Sequence, residues 1–146
     1  MMKKKTQNIL LLIVGMATYI ALIALSTQPD SYFGNVYGVH IINGFTNNSS
    51  LPLVVWCNSG DGDDIGGRAL QERDDFSWSV KPTLWTNFLF SCTMKFDRQR
   101  RKFAAFAQGR DVSRCSATRR CFWLVKEDGF YFSVDGINWR KDFSWI

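Results

Sequence analysis

The residues able to do chemistry in this chain are few and unevenly placed. There is one histidine, His40, there are four cysteines, and there is a loop in which Asp61, Asp63 and Asp64 stand among glycines, VVWCNSGDGDDIGG over 54–67. Three carboxylates so close offer hard oxygen ligands of the kind calcium takes. Counted from Asp61, Gly66 and Glu72 fall where an EF-hand loop needs its glycine and its last carboxylate, but Ile65 stands at a ligand position and no helical pattern flanks the loop. The stretch therefore reads as a surface loop presenting negative charge, and no metal is assigned.

Nucleophilic catalysis fares no better. A Ser-His-Asp or Cys-His arrangement would have to use His40, which lies in a strand-like run and reads as a strand side chain beside solvent or a polar neighbour. A zinc site lacks a ligand set once the cysteines are paired. Glycoside hydrolysis needs two acids converging in a cleft. Here the acids crowd into 61–64 and 72–75, where solvated surface is the simpler reading. No catalytic residue and no cofactor are expected.

The elements that position these residues begin after a different kind of segment. Lys3, Lys4 and Lys5 precede an uncharged run from Ile9 to Leu25, and Ala24-Leu25-Ser26 supplies the small residues a signal peptidase fits. Residues 1–26 are read as a cleaved secretory signal and 27–146 as one domain, with no stable membrane insertion after cleavage. All four cysteines, Cys57, Cys92, Cys115 and Cys121, lie in that domain, so an oxidising compartment and two disulfides are expected. Of the three possible pairings, Cys57–Cys92 would join two strands, and Cys115–Cys121 would close a short loop without rearranging anything else. Asn47-Asn48-Ser49-Ser50 holds two overlapping glycosylation sequons, on Asn47 and Asn48, in a polar segment between apolar runs.

Without the signal, the chain has 15 basic and 13 acidic residues, a net charge of +2. The basic whole-chain balance is thus no sign of a nucleic-acid partner. The charge is uneven, however: nine Lys/Arg against two Asp over 95–120, and six Asp/Glu against two Arg over 58–75. The run Lys95-Phe96-Asp97-Arg98-Gln99-Arg100-Arg101-Lys102-Phe103 interleaves cations with aromatics, as nucleic-acid binders do. Its phenylalanines continue strand faces, so the cations read as a hairpin tip meeting solvent or protein.

Apolar residues recur with a period of two. Phe88, Phe90, Cys92, Met94 and Phe96 fall on one face of Asn87–Phe96, and Phe76, Trp78 and Val80 alternate likewise. Further strands are expected at Val39–Ile42, Leu53–Cys57, Phe103–Ala107, Phe122–Lys126, Phe130–Val134 and Trp139–Trp145. Asp128-Gly129 and Asp135-Gly136 mark two successive hairpin turns. About eight short strands with no long helix after residue 26 predict an all-β fold, a small antiparallel sandwich of immunoglobulin-like type.

Taken in order, Val39-His40-Ile41-Ile42-Asn43, Leu53 to Ser59 with Asp63-Asp64-Ile65-Gly66, Phe76-Ser77-Trp78-Ser79-Val80, Leu89-Phe90-Ser91-Cys92, Cys115, Cys121-Phe122-Trp123 and Asp128-Gly129-Phe130-Tyr131-Phe132-Ser133 resemble the plant self-incompatibility S1 proteins, or S-protein homologues. The resemblance covers about residues 37–145. It implies a small secreted plant protein, a β-sandwich stapled by two disulfides. In the poppy members it implies a pistil ligand for a pollen membrane receptor; most homologues have no assigned part in self-incompatibility. Trp56, Asn58 and the basic 98–102 stretch depart from the family's usual pattern, where partner choice would be set.

The expected function is a monomeric, glycosylated, non-enzymatic ligand of the apoplast. It would bind a membrane receptor or other extracellular protein through exposed loops. The expected contact loops are Gly60–Gly66, with Asp61, Asp63 and Asp64; Arg98–Lys102, with Arg98, Arg100, Arg101 and Lys102; and Gly109–Arg120, with Arg110, Arg114, Arg119 and Arg120. The competing class is a secreted defence protein or an enzyme acting on cell-wall carbohydrate.

Overall fold

The computed structural model describes residues 2–26, 34–47 and 50–146. Residues 27–33, just past the expected cleavage point, and Asn48 and Ser49 of the sequons lie outside them. The N-terminal helix and the β domain are separate compact units.

Helix α1 (Met2–Ser26) carries no acidic residue in its first turn and no basic one in its last. Lys3–Ala24, 22 residues, is long and apolar enough to cross a membrane. At about 1.5 Å per residue it spans about 33 Å, close to the hydrocarbon thickness of about 30 Å.

The β domain has nine strands: β1 (Tyr37–Asn43), β2 (Leu53–Ser59), β3 (Asp64–Leu70), β4 (Asp75–Val80), β5 (Leu89–Phe96), β6 (Gln99–Ala107), β7 (Arg120–Lys126), β8 (Gly129–Ser133) and β9 (Arg140–Phe143), with a short helix α2 (Gln108–Arg114) before β7. They form a five-stranded sheet, order β4-β1-β7-β8-β9, and a four-stranded sheet, order β3-β2-β5-β6. The alternating residues of the two sheets face each other as in a sandwich. Val39 and Ile41 of β1, Leu53 and Val55 of β2, Met94 of β5, and Trp123 and Val125 of β7 are fully buried. Burying each such side chain contributes about 1.5–3 kcal/mol. Ring contacts cross between the sheets, Trp78 with Phe90, Tyr37 with Phe106 and Phe103 with Trp123. The indole N–H of Trp123 donates to the Ala105 carbonyl at 2.8 Å, so its full burial leaves no polar group unpaired.

Three expectations need correction. The sandwich is not purely antiparallel, because β1 and β7 pair in parallel, Val39 opposite Cys121 and Ile41 opposite Trp123. β1 is thereby placed between β4 and β7, so that both its backbone edges are paired while Tyr37, Val39, Ile41 and Asn43 are buried on one face. The second correction is β3, where a loop to Gly66 was expected: only residues 60–63 turn, and Asp64–Leu70 pairs with β2 at the edge of the smaller sheet. Third, Arg100, Arg101 and Lys102 are not a hairpin tip, because β6 already begins at Gln99. Only Asp97 and Arg98 turn, which suffices because Asp97 takes a left-handed φ of 50°.

The β7–β8 hairpin turns at Glu127-Asp128, one residue before the expected Asp128-Gly129 pair, because Gly129 already pairs with Lys126 as the first residue of β8. Gly129 has φ of 149°, and a Cβ there would run into the Phe143 carbonyl, so only glycine fits.

Candidate functional site

Strand register sorts the loops into two ends. Tyr37 at the start of β1 lies opposite Val80 at the end of β4, and Gly38 opposite Arg120 at the start of β7. Ser59 at the end of β2 lies opposite Phe90, and Leu89 opposite Ala107 at the end of β6. The Tyr37 hydroxyl donates to the Val112 carbonyl at 3.3 Å, which puts α2 at this same end. One end therefore carries the 60–63 turn, the 81–88 loop, α2 with the 115–119 turn, and 134–139. Arg98, Asp128 and the segment with Asn47 belong to the other.

The 81–88 loop is held by polar contacts at its base. The Gln108 side chain donates to the Thr83 carbonyl at 2.8 Å and accepts the Phe88 N–H at 3.2 Å. Its own backbone N–H donates to the Phe88 carbonyl at 2.9 Å. Thr83 Oγ1 accepts the Thr86 N–H at 3.2 Å across the loop. On this frame Leu84 is 69% and Trp85 95% exposed. A tryptophan so fully in water, on a loop so well tied, is a large apolar surface without an internal partner. The sequence reading missed it. Its signal was there: Trp85 falls outside every period-two run, between Pro82 and Asn87.

Behind the loops lies a buried charge cluster. The Asp111 carboxylate is wholly inaccessible. It accepts the Ala107 N–H at 2.7 Å, Arg110 Nε at 2.9 Å and Nη2 at 2.8 Å, and Arg114 Nε at 2.9 Å. Arg114 Nη2 also lies 2.9 Å from Asp111 but is misaligned for a hydrogen bond, so Nε carries that contact. Arg114 also reaches Asp142 at 3.3 Å, and its guanidinium lies 3.4 Å from the centroid of Phe132. The cluster ties α2 to β6, β8 and β9. The Cys115–Cys121 disulfide fastens the end of α2 to β7, and Cys57–Cys92 joins β2 to β5 at directly opposed positions.

These contacts sort the expected contact residues. Arg110 and Arg114 are committed to Asp111, and Arg101, half-buried opposite Met94, sets its guanidinium over Phe143 at 5.3 Å. Asp61, Asp63, Arg119 and Arg120 are exposed at the end that carries Trp85. Asp64 holds the start of β3, its carboxylate accepting the Gly66 N–H at 2.8 Å. Arg98 lies at the far end, and Arg100 and Lys102 on the outer face of the smaller sheet. His40 bonds Asp75 at 2.8 Å and stacks on Phe122. Among the described residues, the three ligand-type side chains closest to one another are Asp111, Cys115 and Cys121, and both cysteines are in the disulfide.

Two shallow depressions open at this end. One of about 280 Å³ is lined by Thr118, Arg120, Phe122, Val134 and Asp135; the other, of about 230 Å³, by Arg114, Phe132, Ser133, Val134, Asn138 and Arg140. Neither holds two carboxylates. Asp135 is spent on its own turn, accepting the Asn138 N–H at 2.8 Å, Asn138 Nδ2 at 2.7 Å, the Ile137 N–H at 2.9 Å and the Ser133 hydroxyl at 2.7 Å.

That turn titrates. The backbone and side chain of Asn138 hold the Asp135 carboxyl well below its ordinary value, and the Tyr131 hydroxyl with Lys141 lowers Asp128. Both groups are more acidic folded than unfolded. The stability they add is complete above the ordinary carboxyl value of 3.8 and is lost as pH falls through the lower folded values. The urea midpoint is expected to fall steadily between about pH 5 and pH 2, and Asp135→Asn should flatten that decline.

A model of the plant self-incompatibility protein S1 family matches residues 38–145. S-protein homolog 5 of Arabidopsis thaliana is 31% identical over 78 residues, 53% of this chain and 58% of the relative. S-protein homolog 6 of the same plant is 33% identical over 86 residues, 58% of this chain and 60% of the relative. S-protein homolog 1 is 28% identical over 93 residues, 64% and 60%. The chain thus spans between half and three-fifths of the length of these relatives. No solved structure matches it.

Proposed function

Because the chain belongs to the plant self-incompatibility protein S1 family, we propose that it is a secreted, non-enzymatic ligand that binds a cell-surface receptor through the end carrying Trp85. The observation that carries this reading is the exposed Leu84-Trp85 pair on a loop pinned by Gln108. Rigid presentation of an indole lowers the entropy lost on binding, and tryptophan dominates interface energetics when it enters a partner's pocket. Asp61 and Asp63 on one side, with Arg119 and Arg120 on the other, steer and orient the encounter. The two sheets act as an immunoglobulin-like frame for these loops.

α1 is the signal, removed near Ser26, and the mature monomer carries its glycan on Asn47 or Asn48; Asn47 stands at the end opposite the contact surface. The carboxylates also favour a ligand over a hydrolase, since Asp111 and Asp135 are consumed by internal bonds.

Expressed whole in plant cells, the protein should appear in the medium beginning near residue 27. Fluorescently labelled, it should bind plasma-membrane vesicles saturably, and protease treatment of the vesicles should abolish the binding. Trp85→Ala should weaken binding at least about 30-fold, the loss of about 2 kcal/mol that marks an interface anchor, with an unchanged melting temperature. Unaltered binding by that variant would sink the assignment of this end.

A further inference from the structure

The outer face of the smaller sheet bears a feature that folding alone does not explain. In the β5–β6 register Lys95 stands directly opposite Arg100, and Lys102 opposite Thr93. Like charges in direct cross-strand register repel and destabilise a sheet. Lys95, Arg100 and Lys102 are all exposed, as is Arg98 in the adjoining turn. No ion pair is formed by any of the four among the described residues. The other outward positions of β2, β5 and β6 are Val54, Trp56, Asn58, Leu89, Ser91, Thr93 and Ala104, so these three strands carry no outward acid; the acids bordering them are Asp64 on the edge strand β3, opposite Asn58, and Asp97 in the β5–β6 turn. The domain is nearly neutral overall, hence the patch is local and not a by-product of general basicity. Arg100 also lies over the indole of Trp56, 5.3 Å from its centroid.

We propose that this face binds a carboxylated polysaccharide chain, a polyuronate. Arg100 and Lys102 stand two residues apart along one edge of the face, about 6.6–6.8 Å on an extended strand, and Arg98 in the adjoining turn continues the row. Lys95 widens the row on the neighbouring strand. A flat row of cations suits an extended polymer with a carboxylate on every unit. A folded protein partner would want a desolvated apolar centre, and the one aromatic here is already partly covered by Arg100. The inference rests on the extracellular reading above, but uses a different surface from the Trp85 end.

The test is binding of the purified mature domain to immobilised polygalacturonate in low salt. The parent should bind, lose affinity about 10-fold or more as salt screens the charges, and ignore the fully methyl-esterified polymer. The K95T/R100T/K102T variant should lose binding at least about 10-fold while melting no lower than the parent, since it removes a repulsion and installs good strand formers. Arg119→Thr with Arg120→Thr removes charge at the Trp85 end and should leave binding intact. The proposal is overturned by a parent that does not bind, by equal losses in the two sets of variants, or by equal binding to polyglutamate or duplex DNA. Cell-surface binding lost by Trp85→Ala alone, with polymer binding intact, separates the failure of either reading from the other.

Discussion

Replacing Asp111 by alanine is expected to destabilise the domain by about 3–5 kcal/mol, the cost of breaking a buried ion pair by removing one partner. The carboxylate is fully buried and neutralises two guanidinium groups, of which Arg114 is four-fifths covered. Without it Arg114 keeps the 3.3 Å contact to Asp142 and the faces of Phe132 and Trp123, and the Ala107 N–H loses its acceptor. Asp111→Asn keeps the shape and part of the hydrogen bonding but not the charge, so its loss should be smaller than that of alanine. Urea unfolding followed by tryptophan fluorescence reads both, and an alanine variant within about 1 kcal/mol of the parent would show the cluster to be dispensable. Because the cluster ties α2 to β6, β8 and β9, the damage should reach Trp85 presentation as well as stability.

The second large effect concerns the disulfides, which are expected to contribute unequally. The chain-entropy relation depends on loop length, and the bridges enclose separations of 35 and 6 residues. That gives about 4 kcal/mol for Cys57–Cys92 and about 2 kcal/mol for Cys115–Cys121. Replacing Cys57 and Cys92 together by serine should therefore lower the melting temperature by about 10–20 °C, and the same change at Cys115 and Cys121 by roughly half as much. Paired replacement avoids leaving a free thiol. An equal or reversed order would mean that the short bridge acts mainly through the folded state, by fixing α2 against β7.

What the sequence made legible was whatever buries one face of a strand. Phe90, Cys92, Met94 and Phe96 announce β5 because the core demands an apolar residue at every second position. β3 was illegible for the opposite reason. It lies at a sheet edge with only Leu70 buried, and Gly66-Gly67 gives no side-chain pattern at all; the strand exists through backbone pairing to β2. Arg100, Arg101 and Lys102 hid a strand behind uniform charge, although Arg101 faces Met94 and its neighbours face solvent. Arg110 and Arg114 read as surface contacts because a lone acid, Asp111, between basic residues gives no hint of burial, and α2 is only seven residues long, too short for a periodic signal. At the recognition end, the acidic turn and Arg119–Arg120 were legible as charge, but Trp85 was not, since tryptophan ordinarily goes to the core.

The most direct test places a photoreactive residue at Leu84 and, as a control, at Ser77 on the outer face of the larger sheet, and irradiates each labelled protein bound to intact plant cells. The account predicts that the Leu84 probe captures a membrane-spanning protein, displaced by excess unlabelled domain, and that the Ser77 probe captures none. Equal capture from both positions, or none from Leu84 by a correctly folded protein, would contradict it.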